Sequence, residues 1–392
     1  MVYCWGSNGH GQLGDGTNDI SNSPVAVTMP AGVTFTTITA GNMYSCALSS
    51  SGDAYCWGYN GYGQIGNGST LSRNVPVAVT MPAGITFSAI SAGGGAINAH
   101  TCAISTTGSA YCWGRNDYGQ LGDGTTTDRT TPVAVTLPAG VTFTKITVGY
   151  AHSCALTPAG NAYCWGYNLR GSIGNGTTNS FGVNTPQAVT MPSGVTFTQI
   201  SAGVEHTCAL NGAGNAYCWG LNVSYQLGNG TSANSTIPTP VTMPSGITFA
   251  QITAGGDHAC ALATSGNAYC WGSNQDFQLG NGTNNPSSTP IAVTMPTGVT
   301  FTSIDASGSQ YHTCALGISG SAYCWGRNTA GQLGVCDLVS RNVPTRVGCA
   351  PAATATPTDT STPTDTSTPT NTNTPSRTNT TAASNTNTPS RT

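Results

Sequence analysis

Residues 35–82 read FTTITAGNMYSCALSSSGDAYCWGYNGYGQIGNGSTLSRNVPVAVTMP, one complete copy of a unit that fills most of the chain. Its β-branched and aromatic residues fall into four short runs, Phe35 to Gly41, Tyr44 to Gly52, Asp53 to Gly58 and Val75 to Pro82, punctuated by Gly, Pro and Asn. No stretch carries a helical apolar period long enough to compete, so four strands per unit are predicted. The second and third strands join through Ser50-Ser51-Gly52. A three-residue hairpin loop with glycine in its left-handed position sets the register, so Ala47 faces Tyr55 and Cys46 faces Cys56.

Outward from this copy, the tetrapeptide Tyr-Cys-Trp-Gly occurs seven times, at Trp5, Trp57, Trp113, Trp165, Trp219, Trp271 and Trp325, which are all the tryptophans of the chain. A period of 52 to 56 residues belongs to arrays in which each unit buries its apolar faces against its neighbours. Four strands per unit make that array an all-β propeller. Six units are complete. Around Trp5 the chain supplies a third strand (Val2 to Gly6) and a fourth (Pro24 to Met29), so a partial seventh blade is expected. The sequence therefore reads as a fragment, or as a gene model begun too late, with the lost strands and a signal peptide upstream of Met1.

The cysteines follow the same register. Cys46 with Cys56, Cys102 with Cys112, Cys154 with Cys164, Cys208 with Cys218, Cys260 with Cys270 and Cys314 with Cys324 make six pairs, each with nine residues between its members. The hairpin sets each pair directly across two strands, roughly 4.5–5.5 Å apart at Cα, within reach of a disulfide. Cys336 and Cys349 form a seventh pair around the last outer strand, and Cys4 is left over. The six hairpin bridges imply an oxidising compartment, extracellular or at the cell surface. His-x-Cys recurs at His100, His152, His206, His258 and His312, but the cysteines lack zinc-site spacing and Tyr44 replaces the histidine in one repeat, so no metal is expected.

Composition excludes several functions. Charged residues are 6% of the chain, with one lysine (Lys145), one glutamate (Glu205) and a net charge of −3. Ten basic residues spread over 392 cannot form the stripe that nucleic-acid binding requires. No apolar run approaches the ~20 residues of a membrane span. Gly9-x-Gly11-x-x-Gly14 and Gly61-x-Gly63-x-x-Gly66 match a dinucleotide fingerprint, but another strand follows instead of a helix, so they read as tight turns and no cofactor is expected. The carboxylates show no recurring catalytic pair, and the chain is read as a non-enzyme. Two domains are expected: a propeller over 1–349 and a Thr/Pro-rich, disordered tail over 350–392.

The unit YCWGxNxxGQLGxGT, then PV, then V-T-F-x-x-I-x-A-G-x-x-H-x-C-A-L-x-x-x-G, resembles the regulator of chromosome condensation repeat, whose family forms seven-bladed β-propellers. The resemblance covers nearly all of residues 1–349 and implies the propeller fold. Its cysteines and poverty in charge imply a bacterial, extracellular member. The family includes a nucleotide exchange factor for a small GTPase, secreted inhibitors of β-lactamase and surface proteins. Exchange-factor-like regulation, β-lactamase inhibition and a carbohydrate-active enzyme are thus the alternatives to a secreted or surface-displayed binding propeller.

Candidate binding residues come from positions that change while the frame repeats, because recognition usually sits in loops on a rigid scaffold. After the asparagine of CWGxN the variable pairs include Gly61-Tyr62, Asp117-Tyr118 and Leu169-Arg170. Beside the Ala-Gly turn stand Glu205 and Asp257, each preceding a histidine, and insertions at Gly94 to Ala99 and at Ser309-Gln310-Tyr311. Tyr62, Tyr118, Arg170, Glu205, Asp257 and Tyr311 are therefore the candidate contacts with a protein or glycan ligand.

Overall fold

The computed structural model describes residues 1–95, 97–308 and 311–349, and every regular element among them is a strand. At the N-terminus β1 (Tyr3–Gly6) pairs with β2 (Ser21–Ala26) in a two-stranded sheet. The quoted unit forms β3 (Phe35–Ala40), β4 (Tyr44–Ser49), β5 (Ala54–Gly58) and β6 (Arg73–Ala78), paired antiparallel in that order. Five more four-stranded sheets repeat this order around Trp113, Trp165, Trp219, Trp271 and Trp325. The expected propeller, six complete blades and a partial one, is the observed architecture. The expected tail, and Ser309 and Gln310 of the last insertion, lie outside the described residues.

Register follows the hairpin argument. Cys46 opposes Cys56 and Ala47 opposes Tyr55, with Gly52 at φ 83° closing the turn. The same opposition recurs in every complete blade, and each opposed pair is bridged. Cys46 is joined to Cys56, Cys102 to Cys112 and Cys154 to Cys164. Cys208 is joined to Cys218, Cys260 to Cys270 and Cys314 to Cys324. These six pairs have Cα–Cα distances of 4.1 Å, shorter than the 4.5–5.5 Å expected of opposed strands, and the sulfurs still meet. Cys336 is bridged to Cys349 at 5.2 Å, and Cys4 is free.

The outer strand departs from expectation: it spans Arg73–Ala78 instead of Val75 to Pro82. A register shift between Cys56 and Gly58 skews the ladder, and Val79 and Thr80 bond to the carbonyls of Ala54 and Gly66. In the partial blade β2 likewise begins at Ser21. Pro76 is tolerated because the outermost strand has one edge free of ladder bonds.

Blades are joined by a repeated contact. Trp57, Trp113, Trp165, Trp219, Trp271 and Trp325 are fully buried, each stacked on the phenylalanine that opens its blade, as Phe87 on Trp113 at 6.1 Å. The Trp113 indole donates to the Gln64 carbonyl of the preceding blade at 2.8 Å, and Thr101 Oγ1 donates to the same oxygen at 2.9 Å. A Cβ on Gly66 would sit 2.6 Å from that indole nitrogen, so the last glycine of the fingerprint-like motif is there for close packing. The histidines extend the seam: Nε2 of His100, His152 and His258 lie 2.9 Å from the hydroxyls of Ser153, Thr207 and Thr313 in the next blade. Burial pushes His152 and His258 down to about 3 and His100 to about 4, keeping these imidazoles neutral.

Candidate ligand-binding face

Strands alternate in direction, so the turn between first and second strands and the loop between third and fourth emerge at the same end of every blade. All six candidate residues therefore share one face. The loop between third and fourth strands is held by recurring residues, as in the Trp57 blade: Asn60 Oδ1 accepts the Ile65 N–H, Asn60 Nδ2 donates to the carbonyls of Ser69 and Leu71, and Gln64 Oε1 accepts the Tyr62 N–H, a glutamine that Ser172 replaces in the Trp165 blade. Asparagine spends its polar side-chain atoms on the loop backbone, and glutamine spends its amide oxygen there while Gln64 Nε2 is buried without a hydrogen-bond partner among the described residues. The residues between them are free to differ.

The structure links these residues across blades. Arg115 lies over the Tyr62 ring at 4.3 Å from its centroid, and Tyr62 packs edge-on against Tyr59 at 6.1 Å. Tyr118 meets Tyr167 edge-on at 5.0 Å. Arg170 Nε stands 4.0 Å from Glu205 Oε2, joining the Trp165 and Trp219 blades. Burial raises the Glu205 carboxyl, opposed by Arg170 and reinforced by Asp257; burial raises Asp257 as well. Burial, with the charges of Asp257 and Asp276, raises the Tyr311 phenol. An arc thus runs from an aromatic and arginine sector to an acidic one. Tyr62 and Tyr118, named from the sequence as variable loop positions, are half-buried against Arg115 and Tyr167, because each loop leans on the next blade.

Sequence reasoning missed several members of this face. Tyr59, Arg115 and Tyr167 occupy the x of CWGxN, which varies from blade to blade as visibly as the positions after the asparagine. Phe181 is 88% exposed on a fourth strand lengthened to Asn179–Ala188, and the adjoining Gly182, at φ 77°, lies against the Tyr118 main chain. Tyr225 and Phe277 take the place of the loop glycine and hold φ 67° and 66°, and Tyr311 holds 51°. Bulky residues in the left-handed region cost of order 1–3 kcal/mol each and gather at ligand clamps and other functional positions.

The propeller axis is a cavity of about 500 Å³ lined by the innermost strands. One position per complete blade supplies Thr39, Ser91, Thr147, Ser201, Thr253 and Asp305. Each hydroxyl accepts an N–H of the next blade, from Ala92 to Thr39 at 3.2 Å through Ala306 to Thr253 at 3.1 Å. Thr253 Oγ1 donates to Asp305 Oδ1 at 3.0 Å, and the surrounding walls raise that carboxyl. Among the described residues no group of three or more His, Cys, Asp or Glu could hold a metal ion, and no helix is long and apolar enough to cross a membrane.

Comparison with known proteins agrees with this architecture. Residues 1–249 match the RCC1-like domain, and residues 265–316 and 319–357 match the regulator of chromosome condensation (RCC1) repeat. The Arabidopsis thaliana ultraviolet-B receptor UVR8 is 31% identical over 345 residues, covering 88% of this chain and 77% of that protein. The human E3 ubiquitin-protein ligase HERC2 is 28% identical over 339 residues, which span 85% of this chain but only 7% of HERC2. Crystal structures of human WBSCR16 and of yeast RCC1 (Prp20) bound to Kap60 superpose with TM-scores of 0.77 at 21% identity, over 88% of this chain and 93% and 83% of theirs. With the repeat seen in every blade, the chain belongs to the regulator of chromosome condensation (RCC1) repeat family.

Proposed function

We propose that this chain is a secreted or surface-displayed, non-enzymatic propeller that binds a protein through its loop face. The observation that carries this reading is the cross-blade arc: Arg115 on Tyr62, Tyr118 on Tyr167, and Arg170 beside Glu205. Tyrosine and arginine dominate binding energy at protein interfaces, and here their rings and guanidinium groups are already held in place. Relatives with protein partners in their titles, such as the yeast RCC1 bound to Kap60, support a protein over a glycan. The disulfides in the complete blades support an oxidising compartment outside the cell.

The test couples binding to stability. Arg170→Ala should leave chemical denaturation within about 0.5 kcal/mol of the parent, the usual range for exposed positions, and Tyr118→Ala should cost about 0.5–1.5 kcal/mol, the worth of its edge-on contact with Tyr167. Both should weaken capture of extracellular proteins by immobilised propeller, scored by quantitative mass spectrometry against a glycan array. Unchanged capture by these variants, with loss from a variant at the opposite end such as Ser51→Arg, would place recognition on the wrong face.

A further inference from the structure

The third residue after the asparagine of CWGxN is glycine in five blades: Gly11, Gly63, Gly119, Gly171 and Gly331, at φ between 73° and 84°. In the two consecutive blades around Trp219 and Trp271 it is Tyr225 and Phe277, at φ 67° and 66°. The turn itself does not need them. Tyr225 N–H donates to the Asn222 carbonyl at 2.9 Å and Phe277 N–H to that of Asn274 at 3.0 Å, as Gly63 N–H does to that of Asn60 at 3.0 Å. Space works against them, since a Cβ on the five glycines would lie 2.4 to 2.8 Å from a Cα of the next outer strand. That neighbour is present here too: Gly230 and Gly282 N–H donate to the carbonyls of Ser288 and Asn342, as Gly16 N–H does to that of Asn74. Nor does the core recruit them. Phe197 and Phe249 supply the rings stacked on Trp219 and Trp271, while Tyr225 and Phe277 stay half-buried outside the apolar clusters of their blades. A backbone conformation that bulky residues rarely adopt is thus kept in two adjacent blades, with an aromatic each time, and such strain persists where the side chain serves a function.

On the loop-face reading above, we propose that Tyr225 and Phe277 are its specificity-determining contacts, and that they receive a lysine or arginine side chain from a basic segment of the protein partner. Charge complementarity selects that partner. Asp276 precedes Phe277 in the chain, the charges of Asp257 and Asp276 reach the Tyr311 phenol, and the charge of Asp257 reaches Glu205. Against these three carboxylates stand two cations, Arg170 at 4.0 Å from Glu205 and Arg327 near Tyr311. The two rings attract the incoming cation through their faces and cover its apolar stem, and the carboxylates offset its charge. Glycine at either position restores the turn of the other five blades and removes the contact. Stability and binding should therefore move in opposite directions.

The experiment titrates the full chain into fluorescein-labelled hexalysine, with hexaglutamate as the opposite charge, at about 0.15 M salt, where distant surface charges are screened. Hexalysine should bind and hexaglutamate should not. The double variant Tyr225→Gly, Phe277→Gly should weaken hexalysine about 10-fold, the worth of two exposed cation–π contacts, and should raise the thermal midpoint by about 2 °C. Tyr225→Phe with Phe277→Tyr keeps both rings and should keep the affinity. A midpoint that falls in the glycine variant would overturn the proposal, because the rings would then be holding the fold. So would unchanged hexalysine affinity in that variant, which would leave charge alone as the attraction, and so would a parent chain that binds hexaglutamate as well as hexalysine. If the glycine variant keeps hexalysine while Arg170→Ala still loses captured protein, this contact fails and the loop face stands. If neither change weakens binding, both fail together.

Discussion

The blades around Trp5 and Trp165 share the tetrapeptide Tyr-Cys-Trp-Gly, yet the same residues live in different surroundings. Trp165 is fully buried, stacked on Phe143 at 6.2 Å, and Cys164 is bridged to Cys154. Trp5 keeps its indole bond to the Gln332 carbonyl and its contact with Gly334, but it is only partly buried. Cys4 remains a thiol, pushed up to about 12 by burial and by the charge of Asp15, and so stays protonated at neutral pH. The inner hairpin therefore supplies most of what makes the motif a core. The motif anchors a blade to its predecessor, and the hairpin seals it from water.

Acid should separate the two regions most strongly, because four buried imidazoles act together in the complete blades and none in the β1–β2 sheet. His100, His152, His206 and His258 are all lowered by burial from 6.5 to between about 3 and about 4. The unfolded chain binds more protons across that interval, so this stability is present above about 6.5 and is lost as pH falls towards the folded values. Hydrogen exchange at pH 7 and pH 4.5 should show protection lost first around these histidines. Exchange that starts in β1 and β2 would reverse the comparison.

Tryptophan truncation comes next. Trp165→Ala should cost about 3–5 kcal/mol in chemical denaturation, the usual loss for a buried aromatic. Trp5→Ala should cost clearly less, since Trp5 is only partly buried; equal losses would mean that the half-blade is packed as tightly as the rest. Removing the bridge with the Cys154→Ser, Cys164→Ser pair should cost about 2–3 kcal/mol by the chain-entropy estimate. Cys4→Ser should leave the denaturation midpoint in place.

The smallest effect repairs a flaw in the seam. Across from His206 the repeat has Ala259 where its equivalents are Ser153, Thr207 and Thr313, and His206 Nε2 has no hydrogen-bond partner among the described residues. The Gln226 carbonyl accordingly receives the Trp271 indole without a hydroxyl beside it. Ala259→Ser should restore both bonds and raise stability by about 1 kcal/mol. A thermal melt that does not rise would show that the hydroxyl is spectator to the histidine.

Much of the fold is legible in the sequence itself. The period of the tryptophans, the four strands, the register of Cys46 with Cys56 and the bridged pairs from Cys102 with Cys112 to Cys314 with Cys324 all depend on residues close in sequence. There, turn length and strand alternation leave one solution. The fourth-strand boundary is not legible there, because the register shift between Cys56 and Gly58 redirects the backbone without any sign in the pattern. The site was legible only in part. Tyr62, Tyr118 and Arg170 were found as variable positions, whereas Arg115 and Tyr167 were hidden inside the motif that defined the frame.

Sequence decided that this chain would build repeated, disulfide-bridged blades and that their loops would differ, because each of those facts is settled within a single hairpin. Only the ring decided which side chains meet. Arg170 finds Glu205, Tyr118 finds Tyr167 and Thr253 finds Asp305 because neighbouring blades bring equivalent positions side by side. A periodic sequence carries no mark of such encounters: every blade offers the same positions, and the geometry between blades selects the pairs.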